Sequence, residues 1–253
     1  MRTRNKLEHI TRKLRVYGFA SRLYRFYRGL RIRLGLVRFY LLWRKKRYAE
    51  FYARRVDKRA LLDPKQAVGG LWEEIGKLQF DFLVSQGLKP SHTILDLGCG
   101  SLRGGLWFIR YLQVGNYWGL DISQNILEAG RRFLAEQGLE NKTPHLTLNR
   151  DLKFEELTGC KFDYILAQSV FTHMPEEDIE ECLRNLHKIL KPSGVFFATF
   201  NEGHKSTADK ARTTFHYPVS LFEGLGSRYG YHVRVNDSYL HPRGQKMLAI
   251  SHN

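Results

Sequence analysis

The sequence predicts an α/β protein in which helices cover both faces of a mostly parallel sheet, preceded by a basic amphipathic helical arm. From residue 94 onward, short apolar runs alternate with helical segments, a pattern typical of a doubly wound sheet. Residues 1–60 contain 20 Lys or Arg and 3 Asp or Glu, whereas the other residues contain 21 and 22. We therefore divide the 253-residue chain into an arm, 1–60, and a domain, 61–253.

The arm has the pattern of an amphipathic helix. Between residues 10 and 43 the apolar side chains repeat at helical spacing, and arginines occupy the flanks. The apolar stripe consists of Leu23, Phe26, Tyr27, Leu30, Leu34, Val37 and Leu41. The uncharged run at its hydrophobic peak, 39–43, is far shorter than the roughly 18 residues that span a bilayer. We expect the helix to lie on an anionic membrane surface.

Three other roles for the arm stay open. Arg-rich, acid-poor amphipathic segments also target proteins to mitochondria, and basic segments with interleaved aromatic residues can bind nucleic acid. The apolar stripe could instead pack on the domain or on a second subunit. Cys99, Cys160 and Cys182 are too widely spaced to indicate a disulfide framework, which favours a reducing compartment. We expect a cytoplasmic protein, peripheral at the membrane, with the mitochondrial matrix as the alternative.

Two segments connect the arm to the first strand. Residues 63–70, "DPKQAVGG", predict a linker, and residues 71–90, "LWEEIGKLQFDFLVSQGLKP", predict a helix that ends at Gly87. Gln79 lies on one face of this helix, just ahead of the strand.

The first strand runs into a glycine-rich turn, "ILDLGCGSLRGG", at residues 94–105. Glycines at such a turn allow close approach of a ligand to the backbone. No Lys follows Gly105, so the turn is not a P-loop, and Arg103 stands where a dinucleotide turn has its third glycine. The remaining pattern places an acid, Asp96, two residues before Gly98. An acid at this position suits a ligand with a cationic centre and an amino group.

The second strand ends with another acid, Asp121, in "NYWGLDIS", 23 residues after Gly98. A carboxylate at this place and spacing accepts hydrogen bonds from ribose hydroxyls. Its alternative role is to cap the helix that begins near residue 123. The combination with the glycine turn favours ribose binding.

At this point the sequence resembles the class I S-adenosylmethionine-dependent methyltransferases. The resemblance covers roughly residues 65–253. It rests on "ILDLGCGS", "YWGLDIS", "LNRDL", "FDYILAQSVFTHMP" and "LKPSGVFFATF". It implies a Rossmann-like sheet of seven strands, closed by an antiparallel hairpin, and S-adenosylmethionine as cofactor. One departure is Leu102, which replaces the family's third glycine.

The resemblance also implies positions for the cofactor. Asp151 would bind the adenine amino group while Leu152 covers the ring, Gln168 would contact the sulfonium end or the acceptor, and Gln79 would close over the methionine end. The complete set of expected cofactor-binding residues is Gln79, Asp96, Gly98, Cys99, Gly100, Asp121, Ile122, Asp151, Leu152 and Gln168. No metal site is expected.

The segment after the fourth strand gives information about the chemical class of the methyl acceptor. The amine motifs "NPPY" and "DPPY" are absent, and "QSVFTHMP" resembles methyltransferases of quinone, lipid and other small-molecule pathways. A hydroxyl acceptor needs a general base, and His173 is the first candidate. It could instead be a structural histidine at the start of the next helix. His204 and His216 lie in the loop after the fifth strand and are further candidates.

The sequence thus predicts an enzyme that methylates a hydroxyl or amine of a small-molecule, lipid-soluble or membrane-attached acceptor. One alternative is an RNA or protein methyltransferase tethered by its basic arm. Another is an inactive cofactor-binding protein that serves as an assembly partner. The sequence does not indicate the oligomeric state.

Overall fold

The computed structural model describes residues 48–204 and 213–253, so most of the predicted arm lies outside the described residues. One compact unit comprises Tyr52–Asn253. The α-helices, numbered within the described residues, are α1 Tyr48–Leu62, α2 Pro64–Ala67, α3 Trp72–Ser85, α4 Gly105–Tyr111, α5 Gln124–Glu136, α6 Glu176–Asn185 and α7 Val219–Tyr229. The strands are β1 Ile94–Leu97, β2 Tyr117–Asp121, β3 His145–Leu148, β4 Phe162–Ala167, β5 Leu190–Phe200, β6 Tyr231–Asn236 and β7 Lys246–His252.

The strands form one seven-stranded sheet in the order β3-β2-β1-β4-β5-β7-β6. Strands β1 to β5 pair in parallel, and β7 is antiparallel to both β5 and β6. The predicted fold class, a Rossmann-like, mostly parallel sheet, is confirmed. Because β1, β2 and β4 are adjacent and parallel, their carboxyl ends open on a common crevice. The last strand begins there too, since Lys246 pairs with Phe200 at the end of β5.

The core beneath this crevice is apolar and rich in aromatic side chains. All four residues of β1 are buried. Phe82 of α3 makes edge contacts with Phe197 of β5 and with Tyr239, at centroid distances of 5.0 Å and 4.9 Å. Helix α3 is therefore anchored on the sheet directly before β1. It ends at Ser85, two residues before Gly87, whose φ of 95° allows the chain to reverse.

The predicted linker, residues 63–70, contains the short helix α2, Pro64–Ala67. Asp63 caps α2, and its carboxylate accepts hydrogen bonds from the amides of Lys65 and Gln66 at 2.9 Å and 3.1 Å. Ser101 and Arg103 of the glycine turn then donate to backbone carbonyls of this segment. The Gly and Pro content indicated a turn, but the contacts that hold the segment against the glycine turn are long-range.

The predicted boundary at residue 60 falls inside α1, Tyr48–Leu62, and the domain assignment stays a prediction. In the part of the chain that the structure describes, no helix has the length and apolar content that a membrane crossing requires.

Candidate active site

In the glycine turn after β1, every second residue from Gly98 to Leu102 has a left-handed backbone conformation. Gly98, Gly100 and Leu102 have φ values of 74°, 58° and 69°, all in the left-handed region. A Cβ atom on Gly98 would lie 2.5 Å from Val170 Cγ2, and one on Gly100 would lie 2.5 Å from Val68 Cγ1. Both positions therefore require glycine for space as well as for conformation.

Leu102 retains the left-handed conformation that the family's third glycine would adopt without strain. Its side chain is completely buried, and it packs where Gly105 and Gly130 leave room, since Cβ atoms there would lie 2.8 Å and 3.0 Å from it. The departure seen in the sequence therefore leaves the alternation of the backbone intact. Leu102 lacks the conformational freedom of glycine, but its buried side chain packs in the apolar core beneath the turn.

The carboxylate of Asp121 is bound to the glycine turn. Oδ2 accepts from the amide of Gly100 at 2.9 Å, and Oδ1 accepts from the amide of Ser123 at 2.9 Å. Asp121 is partly exposed, and each oxygen keeps a lone pair for a ligand hydroxyl. Burial raises its pKa to about 6, although the surrounding amides favour the charged form. Ile122, which follows Asp121, is also partly exposed.

Asp96 lies deeper. It is 2% exposed, and its carboxylate accepts a hydrogen bond from Tyr117 Oη at 2.7 Å. Burial raises its pKa to about 7, with the Tyr117 hydrogen bond acting in the opposite direction. Asp96 thus supports the turn from below. Cys99, also buried, has a thiol pKa raised well above its usual value by burial and by the two neighbouring aspartates.

The two expected adenine-binding residues, Asp151 and Leu152, follow β3 and are accessible. Asp151 is exposed, and its Oδ1 accepts from the amide of Lys153 at 3.1 Å. Leu152 is partly exposed with a φ of 56°. Neither caps the following 3₁₀ helix, which starts at Glu155 without a side-chain cap. Neither side chain is committed to capping that helix, and the adenine-binding role of both residues stays a prediction.

Gln168, at the end of β4, is buried in a polar network. Its Oε1 accepts from Tyr239 Oη at 2.6 Å, and its Nε2 donates to Ser169 Oγ at 3.0 Å and to Gln245 Oε1 at 3.3 Å. These bonds join β4 to the loop before β7. The side chain is held at the floor of the crevice, and contact with a ligand there remains a prediction.

Gln79 lies against the far side of the glycine turn. It is 3% exposed, its Nε2 donates to the carbonyl of Ile75 at 3.1 Å, and a Cβ on Gly104 would lie 2.6 Å from its Oε1. Helix α3 thus approaches the backbone of the turn closely. Its contact with the methionine end of the cofactor stays a prediction.

His173 ends a 3₁₀ helix, Phe171–His173. Its Nδ1 is hydrogen-bonded to the carbonyl oxygen of Thr213, and its ring stacks on Tyr52 at a centroid distance of 5.4 Å. Because a carbonyl only accepts, Nδ1 carries the proton, and Nε2 is the basic nitrogen of the neutral ring. The geometry supplies an orienting partner of the kind that a general base needs.

Sequence reasoning missed Asp57. Its Oδ1 accepts from Ser123 Oγ at 2.5 Å and from the amide of Asn125 at 3.3 Å, so it caps α5 together with Ser123. It stands beside Asp121 and raises the pKa of that carboxyl. In the sequence, the feature that could have pointed to Asp57 is that it is the single acidic residue in the basic segment 51–60.

Comparison with known proteins identifies a methyltransferase domain within the chain. A model of the methyltransferase domain matches residues 95–196, which begin in β1 and end in β5. An S-adenosylmethionine-dependent methyltransferase from Clostridium acetobutylicum has the same fold, with a TM-score of 0.59, 15% identity and coverage of 78% of this chain and 98% of that one. Residues 95–196 form the core of a class I S-adenosylmethionine-dependent methyltransferase domain.

Curated relatives resemble the methyltransferase domain over part of their length. An uncharacterized protein of Rickettsia prowazekii is 31% identical over 119 residues, which cover 46% of each chain. A ubiquinone biosynthesis O-methyltransferase of Hydrogenovibrio crunogenus is 27% identical over 164 residues, 60% of this chain and 65% of that one. The chain thus spans less than two thirds of either relative.

The residues of the methyltransferase domain fit a nucleoside cofactor. The turn at Gly98 and Gly100 leaves no room for a Cβ between the backbone and Val170 or Val68, and Asp121 presents a partly exposed carboxylate beside it. In the described part of the chain, no cluster of three or more His, Cys, Asp or Glu could hold a metal ion.

Proposed function

We propose that this protein binds S-adenosylmethionine and transfers its methyl group to a hydroxyl or amine of a small-molecule, lipid-soluble or membrane-attached acceptor. The observation that carries the proposal is the carboxylate of Asp121, held 2.9 Å from the amide of Gly100. This contact joins the ribose acceptor to the glycine turn in one rigid site. The name of the Hydrogenovibrio crunogenus relative supports a small-molecule acceptor of the quinone type.

The proposed reaction assigns a separate role to each group of residues. Bound S-adenosylmethionine supplies an electrophilic methyl group on its sulfonium. Gly98 and Gly100 let the backbone approach the cofactor, and Asp121 accepts from its ribose hydroxyls. Because methyl transfer needs alignment more than acid-base chemistry, positioning supplies most of the acceleration. For a hydroxyl acceptor, Nε2 of His173 takes the proton that the acceptor loses.

The proposed membrane contact has support at the end of α1. Leu61 and Leu62 are 75% and 88% exposed, and the exposed cations Arg54, Lys58 and Arg59 precede them. Apolar side chains beside cations suit the interface of an anionic membrane. We propose a cytoplasmic enzyme peripheral at the membrane, with the mitochondrial matrix as the alternative.

A labelling assay tests the proposed reaction. Full-length protein is incubated with methyl-labelled S-adenosylmethionine and an extract of its source cells, which is then separated into lipid, RNA, protein and soluble fractions. Label in the lipid or small-molecule fraction is expected. Label in RNA or protein would favour the tethered-polymer alternative, and no label with intact cofactor binding would favour the inactive assembly partner.

The membrane contact needs its own test. Full-length protein should sediment with liposomes containing anionic lipid, and a variant with Leu61→Ser and Leu62→Ser should sediment less. Leu148→Ser is the control, because Leu148 is also exposed but lies on β3. Equal sedimentation of all three proteins would remove the end of α1 from the proposed contact surface.

A further inference from the structure

The loop between β6 and β7 brings a cationic cluster to the crevice. Because Lys246 pairs with Phe200, residues 237–245 lie at the carboxyl ends of the parallel strands. The loop carries Tyr239, His241 and Arg243, which approach Arg103 of the glycine turn closely enough to affect the ionisation of Arg103 and His241. The predicted cofactor site accounts for none of these four residues.

Arg103 is a buried cation with an open edge. It is 7% exposed, and its Nη1 donates to the carbonyls of Val68 and Gly70 at 2.9 Å and 3.0 Å. Among the described residues, its Nη2 and Nε make no hydrogen bond, and it forms no salt bridge. Burial lowers its pKa to about 10, so the guanidinium is still charged at neutral pH. The open edge matches the two oxygens of a carboxylate.

His241 adds a buried donor. It is 7% exposed, and its Nδ1 accepts from the amide of Arg243 at 3.2 Å. The neutral ring therefore carries its proton on Nε2, and that buried nitrogen has no hydrogen-bond partner among the described residues. Burial and then the two arginines lower the pKa of the imidazole to about 4. A buried donor without an acceptor is rare in native proteins and calls for a ligand or another explanation.

The cluster is held on the crevice floor. The ring of Tyr239 stacks on His241 at a centroid distance of 6.0 Å, and Tyr239 Oη donates to Gln168 at the end of β4 at 2.6 Å. The guanidinium of Arg243 donates to the carbonyl of Gly69. The carboxylate that influences Arg103 is Asp96, which is 2% exposed and bonded to Tyr117. The cluster therefore presents donors to a ligand without an acidic side chain among them.

We propose that Arg103, His241 and Arg243 bind a carboxylate carried by the methyl acceptor, so that the acceptor is an organic acid. This inference rests on the proposed function. The sheet order favours the acceptor over the cofactor as the source of the carboxylate. Tyr239 of the cluster donates to Gln168 at the end of β4, two strands away from β2, whereas the ribose site lies at Asp121, the last residue of β2. The loop therefore contacts the floor of the crevice at β4, whereas the ribose site is on β2.

Two small probes test the carboxylate site. Benzoate and its neutral analogue benzamide are titrated into full-length protein saturated with S-adenosylhomocysteine, and binding is followed by calorimetry. Benzoate is expected to bind at least tenfold more tightly than benzamide. Equal affinities, or no binding of benzoate, would overturn the proposal, and tenfold tighter binding of phenyl phosphate would replace carboxylate by phosphate.

His241→Asn locates the probe in the cluster. Asn can still accept from the amide of Arg243 but lacks the Nε2 donor, and we expect benzoate affinity to fall about tenfold. His92→Asn is the matched control, because His92 Nδ1 likewise accepts from a backbone amide, that of Lys89 at 3.1 Å. Arg243→Gln, at an exposed residue, provides a second variant if His241→Asn does not fold. Unchanged benzoate affinity in the folded variants contradicts the proposal.

A further titration distinguishes the acceptor from the cofactor as the source of the carboxylate. The variants are also titrated with S-adenosylhomocysteine and with 5′-methylthioadenosine, which lacks the amino-acid group. If His241→Asn weakens only the first of these, the cluster binds the cofactor's own carboxylate and the proposal is wrong. If wild-type protein binds neither nucleoside, the proposed function fails instead, and the benzoate result still decides whether the cluster binds a carboxylate.

Discussion

The carboxylate of Asp121 accepts a hydrogen bond from the backbone amide of Gly100 at 2.9 Å. Asp121 ends β2 and Gly100 lies in the turn after β1, so the bond joins the two neighbouring strands at the crevice. Each carboxylate oxygen accepts a hydrogen bond from one amide and keeps a second lone pair. The turn and the acid therefore act as one unit.

Loss of this carboxylate should weaken cofactor binding. We expect Asp121→Ala to reduce the affinity for S-adenosylmethionine at least tenfold, about 1.4 kcal/mol, because two hydroxyl acceptors and the anchor of Gly100 disappear. Calorimetry measures the effect. Asp81→Ala on the exposed face of α3 is the control and should bind normally. Unchanged affinity in Asp121→Ala would refute the ribose assignment.

Gly98 should be sensitive to a single methyl group. Gly98→Ala adds the strain of a left-handed residue, about 1–2 kcal/mol, and a 2.5 Å contact with Val170 that should cost about 1–3 kcal/mol more. Denaturant unfolding measures both. Gly138→Ala is a matched control, since Gly138 has a φ of 62° and no atom within 4 Å.

The contact with Val170 can be separated from the strain. Adding Val170→Ala to Gly98→Ala should restore the part of the stability that exceeds the Gly138→Ala loss. If Gly98→Ala and Gly138→Ala cost the same, Val170 does not close the turn.

At position 102, glycine should destabilise the protein less than alanine, the reverse of the usual order. Both Leu102→Ala and Leu102→Gly remove a completely buried side chain, at about 2–5 kcal/mol. Only Gly relieves the left-handed strain at φ 69°, by about 1 kcal/mol. We therefore expect Leu102→Gly to have the higher free energy of unfolding of the two variants. The opposite order would mean that the backbone here is not left-handed.

Asp96 should make the protein less stable as the pH rises. Its native pKa is raised to about 7 by burial, above the unfolded value near 3.9. Between about pH 4 and pH 7 the unfolded chain has lost this proton while the native protein keeps it. The free energy of unfolding should then fall by up to about 1.4 kcal/mol per pH unit. Asp96→Asn, which can still accept from Tyr117, should lack this part of the pH dependence.

His173 can be tested without loss of its hydrogen bond. His173→Asn keeps an N–H that can reach the carbonyl of Thr213 but removes the basic Nε2. With a hydroxyl acceptor, we expect kcat to fall about a hundredfold while the dissociation constant for S-adenosylmethionine stays the same. Equal kcat values would mean that His173 is structural.

Strong local patterns predicted most of the fold. The run before Gly98 became β1, and the pattern near 123–137 became α5, Gln124–Glu136, because hydrophobic periodicity depends on neighbours along the chain. Asp121 and the glycines were found in the same way, since the motif is a fixed spacing. Helix α7 was not predicted, because its glycines at 224 and 226 weaken the helical pattern.

The sequence by itself determined the fold class, the glycine turn and the acids Asp96 and Asp121 near the carboxyl ends of β1 and β2, because each depends on a few consecutive residues. Only the tertiary structure showed that residues 63–70 pack against the turn, that Asp57 caps α5 beside Asp121, and that His241 lies near enough to Arg103 for their charges to interact. These pairings join residues 33 to 138 positions apart in the sequence. Such pairings depend on how the sheet orders its strands, and no local spacing encodes that order.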